Sequence, residues 1–114
     1  MNLEQIHRVY FIGVGGIGMS ALARYFAFIN KTVAGYDKTE SPLTQELSNS
    51  GIAIHYNDDV EQIPSEFKNP ENTLIVYTPA VPSSHSEYQY FLANGFVIKK
   101  RSEVLGLITK DSFC

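Results

Sequence analysis

Short apolar runs alternate along the chain with stretches in which apolar residues return every three or four positions. Val9-Tyr10-Phe11-Ile12 is the first run, and His7 to Ile12 is predicted as a strand. Met19, Leu22, Ala23 and Phe26 follow at helical spacing. They predict a helix from Ile17 to about Ile29, with Asn30 as its C-terminal stop. Thr32 to Tyr36 is a second strand, ending at Asp37. Ser41-Pro42 has the chemistry of an N-cap followed by a first helical residue, so Leu43 to Ser48 is a short helix, stopped by Asn49-Ser50-Gly51. Ile52 to His55 is a third strand. Asn57-Asp58-Asp59 caps a brief helical turn through Ile63, and Pro64 ends it. Ser65 to Asn72 is polar and is predicted as a loop.

The second half repeats the alternation. Leu74-Ile75-Val76-Tyr77 is continuously apolar, as expected for a strand covered on both faces. It ends at Thr78-Pro79-Ala80-Val81-Pro82. Ser84-x-x-Glu87 has the spacing of a capping box and opens a helix that Asn94-Gly95 closes. Phe96 to Ile98 is a fifth strand. Ser102 to Thr109 is a last helix, with Val104, Leu105 and Ile108 on one side. Strands alternating with helices predict an α/β class and a Rossmann-like, three-layer domain around a five-stranded parallel sheet. With right-handed crossovers the expected strand order is 3-2-1-4-5. Its switch point lies between strands one and four, where a ligand belongs outside the carboxyl ends.

That placement gives weight to the residues between the first strand and the first helix, Gly13-Val14-Gly15-Gly16-Ile17-Gly18. Strand, glycine loop, helix is the context in which G-x-G-x-x-G holds a pyrophosphate. Gly13 is expected to turn the chain off the strand. Gly15 is expected to let a phosphate approach the backbone, and Gly18 to let the helix pack close to the strand. The helix adds unpaired N–H groups and the positive end of its dipole. Asp37 ends strand two where a dinucleotide fold places its ribose-binding acid. That position favours a ligand role over a plain turn aspartate. Thr78 is equally a ligand contact or a plain strand end. Ser20, one turn into the helix, has a phosphate within reach, although a helical serine commonly bonds the backbone instead.

Composition narrows the classes. The chain has 114 residues, 44% of them hydrophobic, within the range of one domain with a real core. A net charge of −3 without a long basic run argues against nucleic acid or an acidic membrane as the main partner. Met1 to Gln5 lacks the pattern of a secretory signal, and no apolar run is long enough to span a bilayer. The single cysteine, Cys114, excludes an internal disulfide and fits a reducing compartment. His7, His55 and His85 have no metal-ligand spacing, so no zinc site is expected. Asp58, Asp59 and Glu61 are expected as acids at a helix start rather than a catalytic pair, and Lys99-Lys100-Arg101 as a solvated strand end. No Ser-His-Asp or Cys-His arrangement is evident, and no G-x-x-x-x-G-K-[ST] loop is present to hold ATP.

The extended run Gly13-Val14-Gly15-Gly16-Ile17-Gly18-Met19-Ser20-Ala21-Leu22-Ala23 resembles the opening of the Mur ligases. The resemblance covers the whole chain: Gly35-Tyr36-Asp37, Tyr77 to Val81 and Lys100-Arg101-Ser102-Glu103 each resemble a family stretch. Asn57-Asp58 stands where the family usually has Gly-His, and Thr78-Pro79 where it has two serines. The resemblance implies a cytoplasmic, ATP-dependent amide ligase of peptidoglycan synthesis. It is closest to the branch that joins L-alanine to UDP-N-acetylmuramate, through an acyl phosphate made with ATP and magnesium. It implies that residues 1–114 are the first of three domains and hold the UDP part of the substrate, Cys114 being a cut end before the ATP-binding loop. By the resemblance, Gly15, Gly16, Ile17, Gly18, Met19 and Ser20 cradle the pyrophosphate, and Asp37, Thr78, Pro79, Ala80 and Val81 line the nucleotide pocket. Catalytic and metal-binding residues, ATP and L-alanine then belong to the other domains. Two alternatives stand beside this: an NAD-type dinucleotide-binding regulatory or redox module, and the related ligase that recycles murein peptides.

Overall fold

The computed structural model describes residues 5–57, 59–78, 81 and 84–112. Five strands, β1 (Arg8–Ile12), β2 (Thr32–Tyr36), β3 (Ala53–His55), β4 (Thr73–Tyr77) and β5 (Val97–Lys100), form one sheet in the order β3-β2-β1-β4-β5. Every neighbouring pair is parallel. Four helices accompany them: α1 (Ile17–Phe28), α2 (Pro42–Asn49), α3 (Ser86–Ala93) and α4 (Arg101–Ser112). The predicted class, strand number and order are those observed.

Strand alternation divides the core into two layers. Val9 and Phe11 of β1 and Leu74 and Val76 of β4 face one way, onto Met19, Leu22, Ala23 and Phe26 of α1, Leu47 of α2 and Val104 of α4. Tyr10 and Ile12 of β1 and Ile75 of β4 face the other, onto Phe91 of α3 and onto Ile63 and Phe67. The sides follow from crossover handedness. The β1-to-β2 step and the β4-to-β5 step run in opposite directions across the sheet, so right-handed connections put α1 and α3 on opposite faces.

The β3-to-β4 connection departs from expectation. It must carry the chain from one edge, past β2 and β1, to the far side of β1. It does so on the α3 face through two 3-10 turns, Val60–Gln62 and Ser65–Lys68. Ser65 to Asn72 is therefore not simply a polar loop. Phe67 is fully buried, with its ring 5.8 Å from that of Tyr10. One apolar residue in a short turn leaves no periodic signal, although it closes the layer.

Helix starts split between expectation and correction. Ser41 caps α2 as predicted: its Oγ accepts from Thr44 N at 3.3 Å, and Thr44 Oγ1 accepts in return from Ser41 N at 2.8 Å. The capping box predicted at Ser84 and Glu87 does not form. His85 is the N-cap of α3 without a side-chain cap, and Glu87 turns into the core. In α4 Val104 is buried but Leu105 is 41% exposed, so the predicted apolar side is narrower, and Ile108 lies outside the residues whose side chains are described.

Phe67→Ala is expected to lower unfolding free energy by about 3–5 kcal/mol through the cavity it leaves. Phe28→Ser, at a position 84% exposed, is expected to stay within about 0.5 kcal/mol of the parent. Urea denaturation of both variants checks the contrast.

Candidate functional site

Ile12, Tyr36 and Tyr77 are in register, so β1, β2 and β4 end level with one another. The loops leaving them therefore meet above one edge of the sheet. At Gly13 the backbone takes φ +92°, in the left-handed region that favours glycine. A side chain there would also press on Thr78, whose Cγ2 lies 3.2 Å from the ideal Cβ position.

The amides of this loop are largely taken by the end of β2. Gly13 N and Val14 N both donate to Tyr36 O, at 2.8 and 3.0 Å. Gly15 N donates to Asp37 Oδ2 at 2.7 Å, while Thr39 N donates to Asp37 Oδ1 at 2.9 Å. Gly16 N makes a longer bond, 3.4 Å, back to Gly13 O. The Asp37 carboxylate thus already sits against the loop as an internal anion, held by two charge-assisted bonds. The next amides belong to the first turn of α1. That turn has Gly16 as N-cap, no side-chain cap and no acidic residue.

A crevice of about 320 Å³ opens beside this arrangement, lined by Gly13, Gly16, Tyr36, Asp37, Lys38, Thr78, Val81 and His85. Of the residues singled out from sequence, it brings together Gly13, Gly16, Asp37, Thr78 and Val81. Thr78 O accepts from Val81 N at 3.0 Å, closing the turn after β4. Pro79 and Ala80 lie outside the described residues. Gly15 is turned from the crevice to Asp37: an added Cβ would fall 2.5 Å from Asp37 Oδ2 and 3.0 Å from Thr44 Cγ2. Ile17 is 83% exposed, and Met19 is buried in the core beneath α1. Ser20 is buried and donates from Oγ to Ile17 O at 2.9 Å, the backbone bond weighed for it from sequence.

Gly18 requires a correction. It does not mediate close helix–strand packing. A Cβ there would meet the side chain of Arg101, with Cδ at 2.9 Å and Cζ at 3.1 Å. The glycine that does admit backbone contact is Gly35 in β2, whose ideal Cβ lies 3.0 Å from both Phe11 O and Val14 Cβ. Arg101, exposed and the first residue of α4, therefore lays its side chain over the first turn of α1.

Sequence reasoning missed Tyr36, Lys38 and His85 as crevice residues. Tyr36 and Lys38 flank Asp37, and His85 starts the helix after the switch-point strand, so topology alone pointed to all three positions. Two of the three histidines that looked unrelated, His55 and His85, converge here. The Tyr36 ring lies 4.7 Å from that of His85 and 5.7 Å from that of His55. Beneath them Glu87, fully buried, contacts Tyr10 and His55. Among the described residues no group of three or more His, Cys, Asp or Glu side chains is arranged to hold a metal ion.

Comparison with known proteins decides the family. The family model described as "Mur ligase family, catalytic domain" matches residues 8–113. The chain belongs to the Mur ligase family. It is 66% identical over 114 residues to the UDP-N-acetylmuramate–L-alanine ligase of Flavobacterium psychrophilum, covering the whole chain and 25% of that protein. It is 57% identical over 112 residues to the enzyme of that name from Parabacteroides distasonis, covering 98% of the chain and 24% of the relative. The chain thus spans about a quarter of the length of these Mur ligases. The crystal structure of UDP-N-acetylmuramate–alanine ligase from Thermotoga maritima superposes with a TM-score of 0.81 at 26% identity, over 91% of this chain and 23% of that one. The UDP-N-acetylmuramate:L-alanyl-gamma-D-glutamyl-meso-diaminopimelate ligase of Neisseria meningitides shares the fold. Its TM-score is 0.75 at 23% identity, over 88% of this chain and 30% of that one.

The contact between Gly15 and Asp37 is testable. Gly15→Ala is expected to cost about 1–3 kcal/mol by crowding the carboxylate. Asp37→Ala removes the obstruction, so the two changes should couple by about 0.5–3 kcal/mol in a double-mutant cycle. Gly18→Ala, whose nearest obstruction is a long exposed side chain, is expected to cost less than Gly15→Ala. Strict additivity of the first pair in chemical denaturation would refute the contact.

Proposed function

We infer that residues 1–114 form the N-terminal, substrate-binding domain of an ATP-dependent UDP-N-acetylmuramate–L-alanine ligase of peptidoglycan synthesis, working in the cytoplasm. The observation that carries this reading is the crevice at the β1/β4 switch point. It joins the uncapped start of α1 to Asp37, Lys38 and the turn after β4. The strong identity to ligases of that name supports the choice of substrate.

In this reading the pyrophosphate lies at the N-terminal turn of α1, residues Gly16 to Ser20, where the first-turn amides of Ile17 to Met19 and the helix dipole favour an anion. The Lys38 ammonium adds a positive charge to the same crevice. Asp37 and the turn from Thr78 to Val81 line the nucleoside side. Gly15 contributes by seating Asp37 rather than by touching phosphate directly. A carboxylate held by two amides keeps lone pairs for a hydroxyl or imide N–H of the ligand.

In this reading ATP and magnesium are held outside residues 1–114. The chain has no G-x-x-x-x-G-K-[ST] loop, and its described residues hold no metal-ligand cluster. The chemistry that ATP supplies, activation of a carboxylate for attack by L-alanine, is assigned to the remaining three-quarters of the ligase. With UDP-N-acetylmuramate, L-alanine, ATP and magnesium, the purified chain is expected to release phosphate only at background rate. Sustained release would contradict the assignment.

Ligand identity is read by thermal shift with UDP-N-acetylmuramate and NAD side by side. A ligand that binds only the folded state stabilises it by about 2.7 kcal/mol at a hundredfold excess over Kd. The expected result is a shift with the UDP compound alone. A shift with NAD and none with the UDP compound overturns the reading in favour of a dinucleotide module.

A further inference from the structure

Glu87 lies in the first turn of α3 and is fully buried. Burying a carboxylate costs several kcal/mol unless charge-assisted bonds offset it. A carboxylate accepts only, so the groups around it must donate. Tyr10 Oη of β1 donates to Oε1. His55 Nε2 of β3 donates to Oε2 at 2.6 Å, and Asp59 N donates to the same oxygen at 3.3 Å. Tyr10 Oη and His55 Nε2 are themselves 3.1 Å apart, which closes the triad. One side chain of α3 therefore grips β1, β3 and the chain leaving β3.

The grip sits directly behind the crevice. His85, the N-cap of α3, is two residues before Glu87 and is buried edge-on against Tyr36 at 4.7 Å. Tyr36 packs in turn on His55, the partner of Glu87. Tyr36 and His85 are two of the walls of the crevice. The start of α3 has no side-chain cap to fix it. Glu87 ties it to β1 and β3, and His85 lies two residues away on the same start.

We propose that Glu87 is a positioning residue. Through His55 and Tyr10 it sets the place of the aromatic wall, Tyr36 and His85, against which the nucleotide ligand packs. The proposal rests on the crevice being the nucleotide site and adds to it a residue that touches no ligand.

The test compares Glu87→Gln with Leu47→Ala, a destabilising change in the opposite core layer. Glu87→Gln keeps the shape but sets an amide N–H against groups that themselves donate. It is expected to weaken binding of UDP-N-acetylmuramate by about tenfold, measured by calorimetry on the folded fraction, and to move the NMR ring signals of Tyr36 and His85. Leu47→Ala is expected to lower the melting temperature while leaving both readouts in place. Parent-like affinity with unmoved ring signals in Glu87→Gln overturns the proposal. So does an equal loss of affinity in Leu47→Ala, which would make the role merely structural. Where Glu87→Gln does not fold, Tyr10→Phe, which removes one donor and keeps the carboxylate, is read in the same way. If the parent chain does not bind UDP-N-acetylmuramate, the proposed function fails, and the ring signals alone decide whether Glu87 sets the wall.

Discussion

The end of β2 holds the glycine loop. Tyr36 O takes two successive amides, those of Gly13 and Val14, and the Asp37 carboxylate takes the third, from Gly15. This zipper has consequences in both directions along the chain. Toward the sheet, it ties the exit of β1 to the exit of β2, so both loops share the switch-point edge. Toward the helix, it uses up the loop's own donors and leaves the first turn of α1 as the place with amides to offer. A glycine-rich loop is commonly pictured as a bare cradle for phosphate. Here an internal carboxylate occupies part of that cradle, and the missing side chain at Gly15 is what gives the carboxylate room.

The two faces of the sheet are built by different means. The α1 face is an apolar layer of aliphatic residues and Phe, assembled from strands and helices with strong periodic signals. The α3 face is richer in aromatic rings and encloses a buried carboxylate. An apolar layer is stabilised by area and tolerates small shifts. A buried acid with donors from several elements does not, because each displaced donor leaves charge uncompensated. The face that carries the crevice wall is the one fixed by directional bonds, whereas the α1 face supplies bulk stability.

Legibility in the sequence followed the same division. All five strands, the four helices and the sheet order were readable because apolar runs and helical spacing record burial on the α1 face and in the sheet. The N-cap at Ser41 was readable because its partner, Thr44, lies within the same turn. Phe67 was not readable, since a lone apolar residue in a 3-10 turn has no period. Glu87 was misread for a clearer reason. S-x-x-E describes a local bond, and the non-local alternative, with Tyr10 and His55, is invisible until the fold brings β1 and β3 together. Gly18 failed likewise, because its contact, Arg101, is 83 residues away along the chain. In the site, the placing of Asp37, Thr78 and Val81 beside the crevice followed from topology. Topology put Tyr36 and His85 at the same edge of the sheet, but neither carries a motif that marks it as a wall of the crevice.

The glycine signature alone cannot separate a UDP-sugar domain from a dinucleotide domain, since both use a strand, a turn and a helix start to hold a pyrophosphate. What distinguishes them must lie where the rest of the ligand goes. In this chain the crevice beside the start of α1 is bounded by the turn after β4 and by His85 against Tyr36. The wall is fixed from behind by a network that no glycine motif encodes. Two domains with the same loop can therefore differ in ligand through residues such as Glu87 that never reach it. On the proposed function the start of α1 meets the charge that such ligands share, and the buried face of the sheet shapes the part in which they differ.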